Sequence, residues 1–567
     1  MAFDRSLVKD LPAGANVQMI KEVPYVFFRY RWRDESGVQK QARDYIGIIE
    51  NNQFIPNDYY LRLKPTKEKR PEERWEKSRR KQKAVQAIQP AEPEDEEPSD
   101  VRTKSVGVTA LAAAILRESG MIQDVLQIFG GDVKLAQRVL NLALGAAITA
   151  KPTYLSADES KVQMFFNDMK CPTSPRASEL HKGIGETLDL SAKISRERIK
   201  RLKSRPLLAL DGSRIDCNSD NIIDSAVGKK KDGSFGPQIN FSLLVDAQFG
   251  SPVGYRWFAG STNDVSTLED FTHIWNAYGL REKDPMIVVD RGYYSQEALV
   301  KLGTDGYRFL AGAKTGYNLV KSIIEERNPD FYAAGALLEN ADFYGVQEQK
   351  ELKATTGKLD VTVSVFRNPV EEMAATRRLF KRLVKFESLW LAGKADANDE
   401  LLRFYKNPEP GVALVRNMTE VSEECYLFGY FAFVSNAGMT PGDSLETYRL
   451  RNEAEVVFKL MLANLMKTTR VHSTQALEGL LFTTFIALGI LTELRKRMKA
   501  TFETSTINST FTIAELLARL KKIQVVTVEG KSEYLINVSG RDKRLIEALG
   551  FPGMFDSVEN VVAPLHF

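Results

Sequence analysis

Three carboxylates in this chain sit where chemistry could use them. Asp211 closes the apolar run of PLLALDGS, Asp290 closes that of MIVVDRGYYS, and Glu455 follows Tyr448 and Arg451 in YRLRNEAEVVFKLML. Acids at the ends of buried strands and on a helix are held on a rigid scaffold. Phosphodiester chemistry run by two Mg²⁺ ions needs such a scaffold, because both metals and the scissile phosphate require anionic ligands at fixed positions. The trio therefore points to cutting and joining of a DNA backbone. Taken singly, each acid has a plainer role. A strand-end Asp commonly hydrogen-bonds its own turn, and Arg451 four residues before Glu455 has the spacing of a solvated helical ion pair worth roughly 0.3 kcal/mol. The three in order are harder to explain that way.

Around the trio, the 3.6-residue period places Tyr448, Arg451 and Glu455 on one helical face and makes Val456, Val457, Leu460 and Met461 the buried side. Asn263 and Asp264, in the turn after GYRWFAGST, either buttress the site or simply close a turn. Arg291 either contacts phosphate or pairs with a neighbouring acid.

The elements that must carry these residues follow from pattern. PLLALDGS reads as a buried strand; INFSLLVDA and PVGYRWFAG follow as two more, separated by QFGS, which argues for an antiparallel meander. VSTLEDFTHIWNAYGL reads as a helix leading to the strand MIVVD, and YRFLAGA is the next strand. Three meandering strands, a crossover helix and a central strand make the order of an RNase H-like α/β core. Residues 318–440 interrupt it with strand-like runs such as LDVTVSVF and CYLFGYFAFVS around a charged stretch, too long for a connection, and are expected to be an inserted β-rich subdomain. Helices resume from Ser444 to about Lys499.

The organisation expected along the chain is a small β-rich unit over 1–65, a charged linker over 66–104 and a helical, DNA-binding domain over 105–204. The catalytic core then occupies 205–317 and 441–500, split by the insertion, and a small α/β appendage covers 501–567. The first unit rests on Arg29, Arg31 and Arg33 alternating with Tyr30 and Trp32 before a DESG turn. The linker carries eleven Lys/Arg against four Glu over 62–83 and then reverses sign in PAEPEDEEPSD, too polar to pack.

Composition bounds the rest. With 567 residues and 43% apolar content the chain can bury several cores, and 78 Lys+Arg against 74 Asp+Glu give only +4, so it is not a protein that coats nucleic acid indiscriminately. Any DNA affinity must come from local patches, for which 62–83, 193–205 and 229–231 are the candidates; solvated surface is the plainer reading of each. Three scattered cysteines (Cys171, Cys217, Cys425) and four scattered histidines argue against a zinc or disulfide framework. The start MAFDRSLVKD lacks a secretory pattern, and the apolar run near 480–491 carries Thr483 and Thr484 and looks short for a membrane span. A reducing cytosol, with no membrane, is expected.

At this point the sequence resembles the DDE transposases of bacterial insertion sequences, in the branch whose third acid lies in a Tyr-x2-Arg-x3-Glu-x6-Lys signature. LALDGS resembles the first acidic motif, VVDRGYYS the second and YRLRNEAEVVFKLML the third, and TRVHSTQALEGLLFTTFIALGIL is similar to the helix after the catalytic Glu. The resemblance implies that Asp211, Asp290 and Glu455 bind two Mg²⁺ ions, for which Mn²⁺ can substitute, and that cleavage and joining are in-line attacks at one site. It implies that Tyr448 and Arg451 position DNA, Arg451 by a bidentate grip on phosphate. It also implies a homodimer working on double-stranded DNA, both element ends and target, in a bacterial cytoplasm close to the nucleoid. The signature Lys falls at Leu462; Lys459, one turn past Glu455, could take over its phosphate contact or be a solvated lysine. Trp390 in the insertion either stacks on an extruded base or packs. Two rivals remain at this stage: a metal-dependent nuclease of the same fold, and a DNA-binding protein whose site has decayed.

Overall fold

The computed structural model describes the chain except residues 1–7, 21–22, 34–38, 51, 70–100, 153–161, 170–171, 173, 218, 220, 223, 230–234, 263, 339–342, 397–398, 410–411, 467, 505–511 and 529–531. Two compact units result, Met1–Ser99 and Asp100–Phe567.

In the first unit, β1 (Asn16–Ile20), β2 (Val23–Arg33), β3 (Gln39–Glu50) and β4 (Gln53–Pro56) form an antiparallel sheet in chain order. Alternation drives it: Val26, Phe28 and Tyr30 point inward with Ile46, Ile49 and Phe54. Helix α1 (Asp58–Leu63) follows, its first turn capped by the Asn57 side chain accepting from the Tyr60 amide at 2.9 Å. Most of the charged linker, including its acidic run, lies outside the described residues.

The second unit opens with β5 (Val101–Ser105) and five helices, α2 (Gly107–Glu118), α3 (Met121–Ile128), α4 (Val133–Thr149), α5 (Ser174–Gly185) and α6 (Leu190–Lys200). The main sheet is entered through β6 (Leu207–Cys217), β7 (Ala226–Lys229), β8 (Phe235–Asp246) and β9 (Ser251–Ala259). Helix α7 (Asp264–Ala277) then crosses to β10 (Met286–Val289), and α8 (Gln296–Thr304) leads to β11 (Arg308–Ala313). β8 lies antiparallel between β6 and β9, while β10 runs parallel between β6 and β11. The strand order β9-β8-β6-β10-β11 is the one expected of an RNase H-like core.

Beyond β11 come α9 (Asn318–Glu326), β12 (Tyr344–Ala354), β13 (Gly357–Arg367), α10 (Pro369–Leu391), the short β14 (Tyr405–Lys406) and β15 (Val415–Arg416), α11 (Met418–Tyr426) and β16 (Tyr430–Ser435). The structure differs here from a separate β-rich insertion. β16, β13 and β12 continue the main sheet outward from β11. What lies between β13 and β16 is mainly helical, built on α10 with its own small core of Leu379, Leu383, Phe386 and Trp390 against Phe404 and Val421. Those α10 positions recur at helical spacing inside the stretch whose charge density obscured them, and Cys425 and Tyr426 end a helix before the strand begins.

The chain closes with α12 (Pro441–Leu450), α13 (Asn452–Asn464), β17 (Thr468–Thr469), α14 (Thr474–Thr504), α15 (Ile513–Leu520), β18 (Gln524–Val528), β19 (Tyr534–Ile536), α16 (Gly540–Ala548) and α17 (Val558–Val562). One continuous apolar core takes in α2 to α5, one face of β6 and β8, α13, α14 and the C-terminal helices; the opposite face of the sheet is covered by α7, α8 and α9. Neither the helical segment nor the C-terminal tail therefore stands apart: β5 pairs with β18 across more than four hundred residues of chain. The physical reason is α14. By length and composition it is apolar enough to cross a bilayer, with mean hydropathy 1.6, yet 83% of its most apolar window is buried inside the protein. The run near 480–491 is thus part of a 31-residue helix, longer than the sequence suggested, and serves as the spine around which the flanking segments pack.

Where α5 crosses α14, two glycines let the backbones meet. A Cβ on Gly479 would lie 2.0 Å from the His181 carbonyl oxygen, and one on Gly185 would lie 1.7 Å from that of Gln475. Gly479→Ala is accordingly expected to destabilise the protein by about 1–3 kcal/mol, since backbone cannot yield as a flexible side chain would. Denaturant unfolding measures it, and an unchanged midpoint would contradict the packing.

Candidate active site

Register brings the two aspartates together. Val289, the last residue of β10, pairs with Leu210 of the parallel β6, so Asp290 and Asp211 each follow directly on that pair. Asp211 is not at the end of its strand, as its Gly-Ser sequel suggested. β6 continues to Cys217 against β8, whereas β10 stops at Val289. The sheet thus loses its neighbour on one side of Asp211, and this notch is where the carboxylate has room. Asp290 opens a short 3-10 turn, Arg291–Tyr293.

The third acid arrives from helices packed on the sheet. Ala454, Val457, Phe458 and Met461 are the buried side of α13; Val456 and Leu460, expected there, are half-buried. Glu455 lies in the first turn of α13, and Arg451 is the link between α12 and α13. A capping box at Thr440 and Asp443 starts α12.

Arg451 is the hub of the site. Its guanidinium, 9% exposed, donates to Glu455 Oε1 at 2.7 Å and stands 4.0 Å from Asp211 Oδ2. It also lies over the Tyr448 ring, 5.3 Å from the centroid. Tyr448 in turn donates its hydroxyl to Asp290 Oδ1 at 2.9 Å and stacks on Phe433 at 4.1 Å between centroids. The three acids are therefore gathered around one arginine and one tyrosine. Gly312 in β11 makes room, since a Cβ there would meet the Tyr448 hydroxyl at 2.8 Å and the Arg291 amide nitrogen at 2.9 Å.

The electrostatics are set first by burial and then by the neighbouring charges. Burial pushes the Asp211 carboxyl up to about 6, reinforced by Asp290 and Glu455 and opposed by Arg451 and by the Gly212 amide. Burial pulls the Arg451 guanidinium down, but Tyr448, Asp290, Asp211 and Glu455 together hold it above its ordinary value. The Tyr448 hydroxyl is raised well above its usual range, first by burial and then by Asp290. It remains a donor at any physiological pH.

Among the described residues, no group of three His, Cys, Asp or Glu side chains closes around a common point as a ready metal cage. Glu455 is turned to Arg451, which fills the space between it and Asp211. The donor chemistry nevertheless fits a hard divalent cation: all three are carboxylates, and Mg²⁺ typically takes only one or two of them and completes its shell with water and phosphate oxygens. Asp211 with Asp290 is the pair that fits, since Arg451 stands between Asp211 and Glu455.

Other expected residues fall into place less uniformly. Lys459 is exposed on α13, and Leu462, at the signature Lys position, packs part-buried against the main core. Asn263 and the side chain of Asp264 lie outside the described residues, as do the side chains of 229–231. The 193–205 cluster is largely spent internally: Arg198 and Arg201 both hold Asp124, at 3.1 and 2.6 Å, Arg205 pairs with Asp284 at 3.1 Å, and Lys200 with Glu197 at 2.7 Å. Trp390 is a packing residue, buried with its indole N–H donating to the Glu409 and Val412 carbonyls at 3.2 Å each. Sequence reading missed an open cleft of about 590 Å³ beside Asp290, where Arg291 and Lys314 face Phe343, Phe431 and Phe433. The alternation of YFAFVS was the available signal: Phe431 and Phe433 share one face of β16.

Fold and site together are those of a phosphodiester-processing enzyme with an acidic centre on an α/β sheet. The transposase DDE domain model matches residues 202–490, just over half of the 567 residues, and the chain belongs to that family. It is accordingly a DNA transposase, of an enzyme class that cleaves and transfers DNA. No curated protein matches the chain. Among solved structures it is similar to the cryo-EM structure of the piggyBac transposase synaptic complex with hairpin DNA, at 10% identity over 73% of this chain and 79% of that one, with a TM-score of 0.36.

Proposed function

We propose that this transposase binds the ends of its own mobile element, cleaves them by metal-dependent hydrolysis and joins the freed 3′-hydroxyls to target DNA. Asp211, Asp290 and Glu455 are the catalytic acids and the metal ligands in this reading. The observation that carries it is their convergence on Arg451 from two adjacent strands and a helix. Divalent ions, Mg²⁺ with Mn²⁺ as a substitute, would supply activation of the attacking oxygen and stabilisation of the leaving one. The chain's own residues set the geometry. Tyr448 fixes the Asp290 carboxylate through its hydroxyl, and the Phe433 stack prevents that ring from turning. Arg451, already holding Glu455, presents a planar donor fork suited to a phosphate non-bridging oxygen. Lys459, exposed one turn further along α13, would contact the backbone of bound DNA in this reading.

The Tyr448, Arg451 and Glu455 spacing supports membership of the signature branch found in bacterial insertion sequences, with a homodimer on paired ends and a cytoplasmic, nucleoid-associated location as its corollaries. Leu462 stands at the signature Lys position and packs part-buried against the core. Purified protein, a DNA fragment carrying the inverted repeats that flank the gene, and a supercoiled target plasmid in Mg²⁺ test the reading. Joined products are expected. Nicks without joined products would make the chain a plain nuclease, and binding with no cutting in Mg²⁺ or Mn²⁺ would make its site decayed.

A further inference from the structure

Helix α10 runs for 23 residues with one face closed and the other open. Leu379, Leu383, Phe386 and Trp390 pack inward. On the outward face Arg377, Lys381 and Lys385 follow one another at four-residue intervals, all exposed, which sets successive cationic groups about 6 Å apart along the helix. Every acid of α10 is committed elsewhere: Glu371 to Arg378, Glu372 to Arg367 at 2.8 Å, and Glu387 to Arg416 at 2.6 Å. Arg382, on the flank, is held by Glu400 at 2.6 Å. Among the described residues Arg377, Lys381 and Lys385 have no ion-pair or hydrogen-bonding partner. They form a row of positive charge that the protein does not neutralise, on a rigid helix that leaves the main sheet one residue after β13.

We infer that this row is a docking strip for the phosphate backbone of duplex DNA, outside the acidic centre. The inference rests on the reading of the protein as an enzyme acting on DNA. A row of regularly spaced, unneutralised cations complements a polyanion whose charges are also regularly spaced, and association releases the counterions condensed on the DNA. A second copy of the chain is a poor occupant, because its own row would bring like charges together.

Full-length protein and the variants R377Q/K381Q/K385Q and R377E/K381E/K385E should be titrated with a short duplex of arbitrary sequence over a series of salt concentrations. Each neutralised phosphate contributes about 0.9 to the slope of log affinity against log salt, so the glutamine variant should lose roughly 2 to 3 from that slope and the glutamate variant should bind more weakly still. Both should keep wild-type melting, since the three side chains touch no core. A wild-type slope in the glutamine variant overturns the inference alone. So does an unchanged slope with altered sedimentation, which would assign the face to a protein contact. Wild-type protein without salt-dependent DNA affinity overturns both the inference and the functional reading beneath it.

Discussion

Asp290→Asn is expected to abolish DNA cleavage and joining while leaving folding and DNA affinity intact. Asparagine has the same shape, and its side-chain carbonyl can still accept the Tyr448 hydroxyl that now reaches Asp290 Oδ1 at 2.9 Å. The stacked Phe433 and Tyr448 rings, and the sheet register beneath them, are therefore undisturbed. What disappears is one negative charge beside Asp211, at the point where the proposed mechanism brings cation and phosphate together. Loss of an outer-shell partner of a metal ligand typically costs about 10- to 100-fold, and removing a proposed ligand itself should cost more than that upper figure. Plasmid nicking and end joining read the chemistry, fluorescence anisotropy with labelled duplex reads binding, and circular dichroism reads the fold. A variant that cuts and joins as well as the wild type would remove Asp290 from the machinery, and the proposed mechanism with it.

Asp211→Asn should make the metal-free protein more stable at neutral pH. In the folded chain the Asp211 carboxyl is raised from 3.8 to about 6, chiefly by burial, with Asp290 and Glu455 adding to it. A raised acid favours folding only while it is protonated, so its contribution is complete below the unfolded value and is lost as pH climbs through the folded one. At neutral pH the ionised group then opposes folding by roughly 3 kcal/mol, taking about 1.4 kcal/mol for each unit of displacement. The side chain is 18% exposed, too buried for water to cancel most of this. Asparagine removes the charge, so a gain of about 2–3 kcal/mol is expected near neutrality, shrinking to nothing as pH falls below about 4. Urea unfolding in EDTA across that range measures it. A gain that is the same at every pH would mean that the Asp211 carboxyl titrates alike in the folded and the unfolded chain, and would overturn the burial argument. The variant should also fail to cut DNA, which would make Asp211 a case of stability given up for function.

The two aspartates, the helix glutamate and the alternation of the meander were legible from the chain. Apolar runs such as LLAL and MIVV admit little but a buried strand, whereas the single helical face expected for Tyr448, Arg451 and Glu455 is divided in the structure, Tyr448 closing α12, Glu455 opening α13 and Arg451 linking them. Position 462 was legible as a departure from the signature but not as a reason. In the structure Leu462 packs part-buried against the main core. The outer strands of the sheet were misassigned because β12, β13 and β16 look alike whether they build a separate sheet or extend an existing one. α10 was hidden by its own charge, since eight ionic side chains among 23 residues read as surface until its inward positions are seen to close on Phe404 and Val421.

By itself the sequence determined which residues could do the chemistry and the order of the elements that carry them, because residue type, strand alternation and helical period act over a few residues at a time. Tertiary structure decided what distance in the chain conceals. It set Asp211 at a notch inside a longer strand, drew the acids around Arg451, spent most of the 193–205 charges on internal pairs and left the α10 row without a partner among the described residues. Those outcomes depend on pairings between segments separated by tens to hundreds of residues, whose register and burial are fixed only when the whole core, with α14 at its centre, closes.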